Sequence, residues 1–235
     1  VTSATLTAGG DWETAEARVG APHLQRAPGR FTAPSPFDYA RNAEVVIVTD
    51  VKRGDVGSTM AAYAEAYLSD GSPLAADAIT VSPYLGYGSL TPALNLAEAS
   101  GRGVFVLALT SNPEGAGVQH AVNGDQAVAA GIVEGVTASN AQASGEGRLG
   151  SIGLVIGATV GGAVSDLGID LQGANGPLLA PGVGAQGAMP ADVRHLTQAA
   201  PELGFANVSR AILSRGPQVS DLRKAVEETA AEFRD

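Results

Sequence analysis

Cysteine is absent from this chain of 235 residues. Its absence excludes disulfides, thiol nucleophiles and cysteine-ligated zinc sites. A protein without disulfides agrees with a cytoplasmic location, which is the location that we expect. No apolar run approaches the roughly 18 residues of a membrane-spanning helix. We therefore expect no membrane partner.

Lysine and aromatic residues are scarce. The chain has only two lysines, Lys52 and Lys224, and its formal net charge is −10. Because general nucleic-acid binders are basic, we expect no nucleic-acid partner. Local backbone amides and one or two cations can nevertheless bind an anionic small molecule. Aromatic residues make up 5% of the chain and hydrophobic residues 45%, so Ala, Val, Leu and Ile must form most of a sizeable core.

Short apolar segments alternate with helical patterns from residue 44 onwards. Their spacing of roughly 25–30 residues is typical of βαβ units and a parallel α/β sheet. The length fits a single TIM (β/α)8 barrel domain over residues 1–235, since such barrels run to about 250 residues. A closed barrel needs two further strands from residues 1–43, where the pattern is short or degraded. Predicted strands cover residues 45–49, 78–81, 103–109, 152–156, 178–183 and 205–209; predicted helices cover 58–68, 91–100, 125–140 and 219–233, and an exposed loop is predicted at 141–150.

The densest cluster of polar residues follows the first of these strands, at residues 49–59. Asp50 and Lys52 are two residues apart, so in a strand their side chains point to the same side. A carboxylate beside an ammonium group favours its charged form, which suits a general acid at a site where a carbanion forms. A strand-end salt bridge in a solvated loop is the alternative. Asp55 and Thr59 follow at once, and this density favours the functional interpretation.

Residues 50–59 resemble the motif after the third strand of orotidine 5'-monophosphate decarboxylases, in the form found in actinobacterial members of that family. Three further stretches resemble family motifs in the same order, at residues 82–90, 109–115 and 181–187. The resemblance runs from about residue 45 to the C-terminus. It implies decarboxylation of orotidine 5'-monophosphate to uridine 5'-monophosphate in de novo pyrimidine biosynthesis, with neither a cofactor nor a metal.

The resemblance also implies roles for the residues around Lys52. Lys52 is expected to donate a proton to C6 of the pyrimidine, and Asp50 to orient Lys52 beside the departing carboxylate. Family members are homodimers with shared active sites. Asp55 and Thr59 are therefore expected to reach into the site of the partner subunit.

A second group of residues is expected to bind the substrate. Ser111 would hydrogen-bond the pyrimidine of this nucleoside monophosphate. Gln186 and Arg210 would bind its phosphate, together with backbone amides near Gly184 and Gly187. Glycine-rich turns suit this role because several N–H groups can converge on one phosphate. A tight turn after a strand is the alternative for the glycine-rich segment alone.

Residues 1–45 depart from the family pattern. The family has an aspartate after its first strand and a lysine after its second, but here Ala21 occupies the first position and no lysine precedes Lys52. Either the chain is a divergent homologue with little or no turnover, or residues 1–45 are trimmed or otherwise depart from those of the natural protein.

Three functions therefore compete. The first is an active, cofactor-independent decarboxylase, and the second is a non-catalytic nucleotide-binding homologue. The third is a sugar-phosphate decarboxylase or lyase of the same barrel group, which shares the D-x-K-x-x-D strand end but needs magnesium. Ser111 and the continuation from Gly54 to Thr59 favour the pyrimidine family.

Overall fold

The computed structural model describes residues 46–184, 186–198 and 200–233. The two strand units expected from residues 1–43 lie outside these ranges. All six strands predicted after residue 43 are present: β1 Val48–Arg53, β2 Ala78–Val81, β3 Gly103–Leu109, β6 Ile152–Ile156, β7 Leu178–Pro181 and β8 Gly204–Asn207. They form one parallel sheet in the order β1-β2-β3-β6-β7-β8. The strands β4 Val122–Asn123 and β5 Gln126–Ala127 form a separate antiparallel hairpin.

The four longest described helices correspond to the four predicted ones: α1 Gly57–Leu68, α2 Thr91–Ser100, α4 Val128–Gly145 and α8 Val219–Glu232. The prediction for α4 was partly wrong, because the helix continues through the first half of the expected loop. Short helices that were not predicted are α3 Ala116–Gln119, α5 Gly161–Asp166, α6 Pro190–Leu196 and α7 Arg210–Leu213. Within the described ranges, no helix has the length and apolarity needed to cross a membrane.

The two faces of the sheet carry separate apolar clusters. Alternate strand residues such as Ile79, Val104 and Leu154 pack with the helices in the larger cluster. Their neighbours along the strands, including Ala78, Phe105 and Val155, form a smaller cluster on the opposite face. Helices over one face of a parallel sheet, with apolar side chains filling the other, are the layout of a TIM barrel wall. Val48 and Leu107 pack against the smaller cluster, so the inner face includes β1 and β3.

Asn140 ties the end of α4 to the sheet. Its side chain is 2% exposed. The Nδ2 group donates to the carbonyl oxygens of Ile152 at 2.7 Å and Ala174 at 2.8 Å, and Oδ1 accepts from the Ile152 amide at 3.3 Å. One side chain therefore satisfies backbone groups at the start of β6 and in the segment before β7.

Replacement of Asn140 by alanine should lower the free energy of unfolding by about 2–4 kcal/mol, because buried backbone groups lose their partners and the site loses volume. Chemical denaturation would measure this loss, provided that the free energy of unfolding falls with denaturant concentration at the same slope in both proteins. Gln142→Ala is the matched control, because Gln142 is exposed on the same helix and its side chain donates to the exposed Glu146 instead of to buried backbone groups. Equal stability of the Asn140→Ala protein and the control would contradict the account.

Candidate active site

Asp50 and Lys52 form an ion pair near the carboxyl end of β1. Lys52 Nζ lies 3.0 Å from Asp50 Oδ2, and the two side chains are 55% and 62% exposed. The predicted contact is therefore present, but the strand is not regular here. Lys52 has a φ of +51°, and the pairing of β1 with β2 changes register between Thr49 and Arg53. A left-handed backbone is unusual for a residue other than glycine, and such conformations cluster at functional sites.

Thr80 on β2 contacts both members of this pair. Its hydroxyl donates to Asp50 Oδ1 at 2.7 Å and accepts from the Lys52 amide at 3.0 Å. The side chain is 3% exposed. Sequence reasoning missed this residue. The signal available was one hydroxyl residue inside an otherwise apolar strand, two positions from the strand's start.

The turn after Lys52 packs closely against the end of β2. The Ser82 amide donates to the Arg53 carbonyl oxygen at 2.8 Å. A Cβ on Gly54 would lie 2.1 Å from the Ser82 carbonyl oxygen, so no larger residue fits without a backbone shift. The Arg53 guanidinium lies 5.6 Å from the centre of the Tyr63 ring on α1, which directs that side chain towards the helix.

Asp55 and Thr59 lie just beyond this turn, and both are half-buried. Asp55 Oδ1 accepts from the Val56 amide at 2.7 Å, which is a local contact in the turn that leads into α1. The predicted reach of both residues into a second subunit stays a prediction.

Ser111 and Gln186 meet although their strands are not neighbours. Ser111 follows β3 and Gln186 follows β7, with β6 between them, yet Ser111 Oγ donates to Gln186 Oε1 at 2.5 Å. Gly157, directly after β6, makes this contact possible. A Cβ there would lie 2.7 Å from the Ser111 amide nitrogen and 3.1 Å from Ser111 Cβ. Sequence reasoning did not identify Gly157.

The glycine-rich loop after β7 lies beside the start of α7. Gly184 and Gly187 have φ values of +73° and +89°. Their amides donate within the loop, to the carbonyl oxygens of Ala188 and Gly184, each at 2.9 Å. A Cβ on Gly184 would lie 3.0 Å from Ala211 Cβ, next to Arg210.

Arg210 is the first residue of α7, and it is exposed. Within the described part of the chain it has no acidic side chain at ion-pair distance. Its guanidinium is therefore available to an external anion beside the glycine-rich loop. Among the residues that the structure describes, no hydrogen bond or ion pair joins Arg210 or the glycine-rich loop to the Asp50–Lys52 pair.

A cavity of about 260 Å³ lies between the loop after β2 and the β4–β5 hairpin. Pro83, Tyr84 and Tyr87 line one side, and Asn123 and Gln126 line the other. None of the predicted site residues contributes to its lining, so the substrate is not assigned to it. In the described ranges, no group of three or more His, Asp or Glu side chains is placed to bind a metal.

The family model for orotidine 5'-phosphate decarboxylase / HUMPS proteins matches residues 19–225. The chain belongs to the orotidine 5'-phosphate decarboxylase / HUMPS family. The match includes both parts of the expected site, from Asp50 to Arg210. It also extends into residues 19–45, where the sequence lacks the aspartate and the lysine of the family pattern.

Curated members of the family resemble the chain closely. An orotidine 5'-phosphate decarboxylase from Streptomyces coelicolor is 57% identical over 197 residues, which are 83% of this chain and 68% of the relative. One from Corynebacterium efficiens is 51% identical over 199 residues, which are 82% of this chain and 68% of the relative. The chain thus spans about two thirds of the length of these relatives.

Solved structures show the same fold. A Streptomyces avermitilis protein assigned as an orotidine 5'-phosphate decarboxylase is 57% identical with a TM-score of 0.74, over 83% of this chain and 66% of that one. The Leishmania donovani OMP decarboxylase is 30% identical with a TM-score of 0.60, over 80% of this chain and 68% of that one. The predicted TIM barrel and the predicted family are both confirmed, and the six described parallel strands are part of such a barrel.

Gly54→Ala should destabilise this family member by about 1–3 kcal/mol, because the new Cβ forces the turn away from β2. Decarboxylase activity should fall with it, since the same turn positions Lys52. Gly162→Ala on α5 is the control, because its Cβ would meet no atom within 4 Å. Thermal unfolding and kcat/KM of both variants measure the effect. If the two variants behave alike, Ser82 does not constrain the turn.

Proposed function

We propose that this chain decarboxylates orotidine 5'-monophosphate to uridine 5'-monophosphate, in de novo pyrimidine biosynthesis and in the cytoplasm. We take residues 1–235 as one barrel domain. The observation that carries the proposal is the Asp50–Lys52 ion pair at the carboxyl end of β1, where TIM barrels have their active sites. Curated decarboxylases more than 50% identical to the chain support the choice of reaction.

In the proposed reaction the bond between C6 and the carboxylate breaks, and its electron pair stays on C6. Lys52 Nζ then donates a proton to C6, so uridine 5'-monophosphate and carbon dioxide leave and the amine regains a proton from solvent. Positive charge at Lys52 stabilises the negative charge that develops on C6. Asp50 orients the ammonium. The negative charge of Asp50 also repels the substrate carboxylate until carbon dioxide leaves.

The second group of residues would bind the parts of the substrate that do not react. Ser111 would hydrogen-bond the pyrimidine, and its contact with Gln186 links it to the loop after β7. Arg210 offers a planar, bidentate donor to the phosphate. Binding energy from a remote phosphate can order the reacting groups and so raise the rate.

A homodimer with shared sites would account for Asp55, Thr59 and the apolar residues around them. Large apolar side chains after β1, β2 and β3 are exposed in the described chain: Val56 by 62%, Tyr84 by 79% and Val122 by 66%. The carboxyl ends of parallel strands lie at one edge of the sheet, so these residues are on the same side of the molecule as Asp55. A second copy of the chain would cover them.

Two other functions stay open to test. A non-catalytic homologue would bind the nucleotide without turnover, and the absence of lysine from residues 1–51 is the observation that favours it. A magnesium-dependent sugar-phosphate enzyme would share the strand-end motif, and the family description alone includes both branches. The named relatives favour the pyrimidine reaction over it.

Lys52→Ala should lower turnover by ~10²–10⁴-fold or more, because a general acid usually contributes that much to the rate. Affinity for uridine 5'-monophosphate should persist. Carbon dioxide release measures turnover, and calorimetry measures binding. Lys224→Ala is the matched control, because it removes the only other lysine, which is exposed on α8 and pairs with Glu228. The wild-type activity should survive exhaustive EDTA treatment.

Three outcomes would reject the proposal in different ways. Near wild-type turnover by the Lys52→Ala protein would exclude Lys52 as the proton donor. Strict dependence on added magnesium would move the chain to the sugar-phosphate branch. Nucleotide binding without any carbon dioxide release would identify a non-catalytic homologue.

The shared site predicts complementation between two inactive variants. A Lys52→Ala chain keeps Asp55, and an Asp55→Ala chain keeps Lys52, so a mixed dimer has one intact site and one doubly defective site. Co-refolding equal amounts should restore up to about one quarter of wild-type activity by random pairing. Each variant refolded alone is the control. If Asp55 only caps its local turn, the mixture will be as inactive as its components.

A further inference from the structure

Thr80 differs from the other buried polar side chains of the described residues. The described residues have three buried polar side chains, Thr80, Asn140 and Thr197. Asn140 bonds to backbone groups, and the Thr197 hydroxyl donates to the Val193 carbonyl oxygen in its own helix. Thr80 donates to the carboxylate of Asp50. Its hydrogen bond therefore connects the core to the ion pair that is proposed to carry the chemistry.

The direction of this hydrogen bond follows from its two partners. A hydroxyl has one hydrogen and two lone pairs. The Lys52 amide can only donate, so it must use a lone pair of Thr80 Oγ1, at 3.0 Å. The hydroxyl hydrogen is then directed at Asp50 Oδ1, at 2.7 Å. The other carboxylate oxygen, Oδ2, is left to the Lys52 ammonium at 3.0 Å.

Neither member of the ion pair is fixed by burial. Both side chains are more than half exposed, and exposed ion pairs contribute little and leave long side chains mobile. Lys52 also has a backbone φ of +51°, which persists only where surrounding contacts impose it. Thr80 supplies two such constraints at once, one on the Lys52 backbone and one on the Asp50 carboxylate.

The geometry points to Thr80 as a positioning residue for the decarboxylation: its hydroxyl bridges the Lys52 amide and the Asp50 carboxylate and so directs the Lys52 ammonium at the reacting carbon. The inference rests on the proposed function for its kinetic consequence. Its structural consequence, an ordered Lys52 backbone, can be measured without turnover.

The kinetic test removes the hydroxyl and keeps the shape of the side chain. Thr80→Val should lower kcat by about 10–100-fold, the effect expected when a reacting group is misplaced by about 1 Å. Affinity for uridine 5'-monophosphate should change by less than about threefold, since Thr80 contacts neither proposed binding group. Thr80→Ser should keep kcat near wild type because it retains the hydroxyl. Thr197→Val is the matched control and should keep full kcat.

The structural test uses the scarcity of lysine. Protein labelled with ¹⁵N-lysine has two backbone amide signals, from Lys52 and Lys224. In Thr80→Val the Lys52 amide should exchange with solvent about two- to tenfold faster, in keeping with the loss of one hydrogen bond. The Lys224 signal should not change. Thr80→Ser should leave both signals as in the wild type.

Each outcome decides between the two hypotheses. If the wild type has no turnover but Lys52 is protected only while residue 80 carries a hydroxyl, the proposed function fails, and only the structural half of the inference, the ordering of the Lys52 backbone by Thr80, stands. If the wild type turns over and Thr80→Val retains its kcat, the positioning role fails and the function stands. Should Thr80→Val not fold, the pair Thr80→Ser and Thr80→Ala gives the same comparison, because both lack the methyl group and only serine has the hydroxyl. Equal kcat and equal Lys52 exchange in that pair would overturn the inference.

Discussion

The end of β1 depends on its attachment to the end of β2. Thr80 and Ser82 bond to the last two residues of β1, Lys52 and Arg53, and Gly54 approaches the Ser82 carbonyl oxygen more closely than any side chain would allow. These contacts lie on both sides of the left-handed Lys52 and the change of register beside it. Without them, the Asp50–Lys52 pair would be an ordinary exposed ion pair of variable geometry.

The inner face of the barrel wall leads directly to this attachment. Ala78 belongs to the apolar cluster of that face, and Thr80 is the next residue of β2 with the same orientation. Val48 packs on the same cluster, and Asp50 follows it at the same spacing along β1. Each strand therefore changes from apolar to polar on one face within two residues. The proposed chemistry would therefore take place at the boundary between a packed core and the polar ends of these strands.

Sequence patterns located most of this architecture because continuous apolar runs bounded by turns are strong signals. The bounds of β2, β3 and β6 agree with their predictions at every residue. The end of β1 was predicted too early, since residue periodicity cannot show a left-handed residue inside a strand. The glycine and serine residues after Asn140 indicated a loop. The helix instead continues to Gly145, and the Asn140 side chain fixes this end of α4 to the sheet.

The candidate site was predictable where it consists of charged residues in a dense motif, and not where it depends on contacts between distant segments. Asp50 and Lys52 are two residues apart in the chain, whereas Thr80 and Gly157 act through segments that only the fold brings together. Resemblance to the family supplied the expected roles of Ser111 and Gln186. Their direct contact across β6 could not be read from the sequence, because it depends on the close approach of Ser111 to Gly157 after β6.

The central claim is that this chain replaces the carboxylate at C6 of the pyrimidine with a proton carried by Lys52. Incubation of the purified protein with orotidine 5'-monophosphate in D₂O tests it most directly, since the lysine ammonium exchanges with solvent. The account predicts uridine 5'-monophosphate with one deuterium at C6, identified by mass and by loss of the C6 proton signal in NMR. Unchanged orotidine 5'-monophosphate, or a product without deuterium at C6, would contradict it.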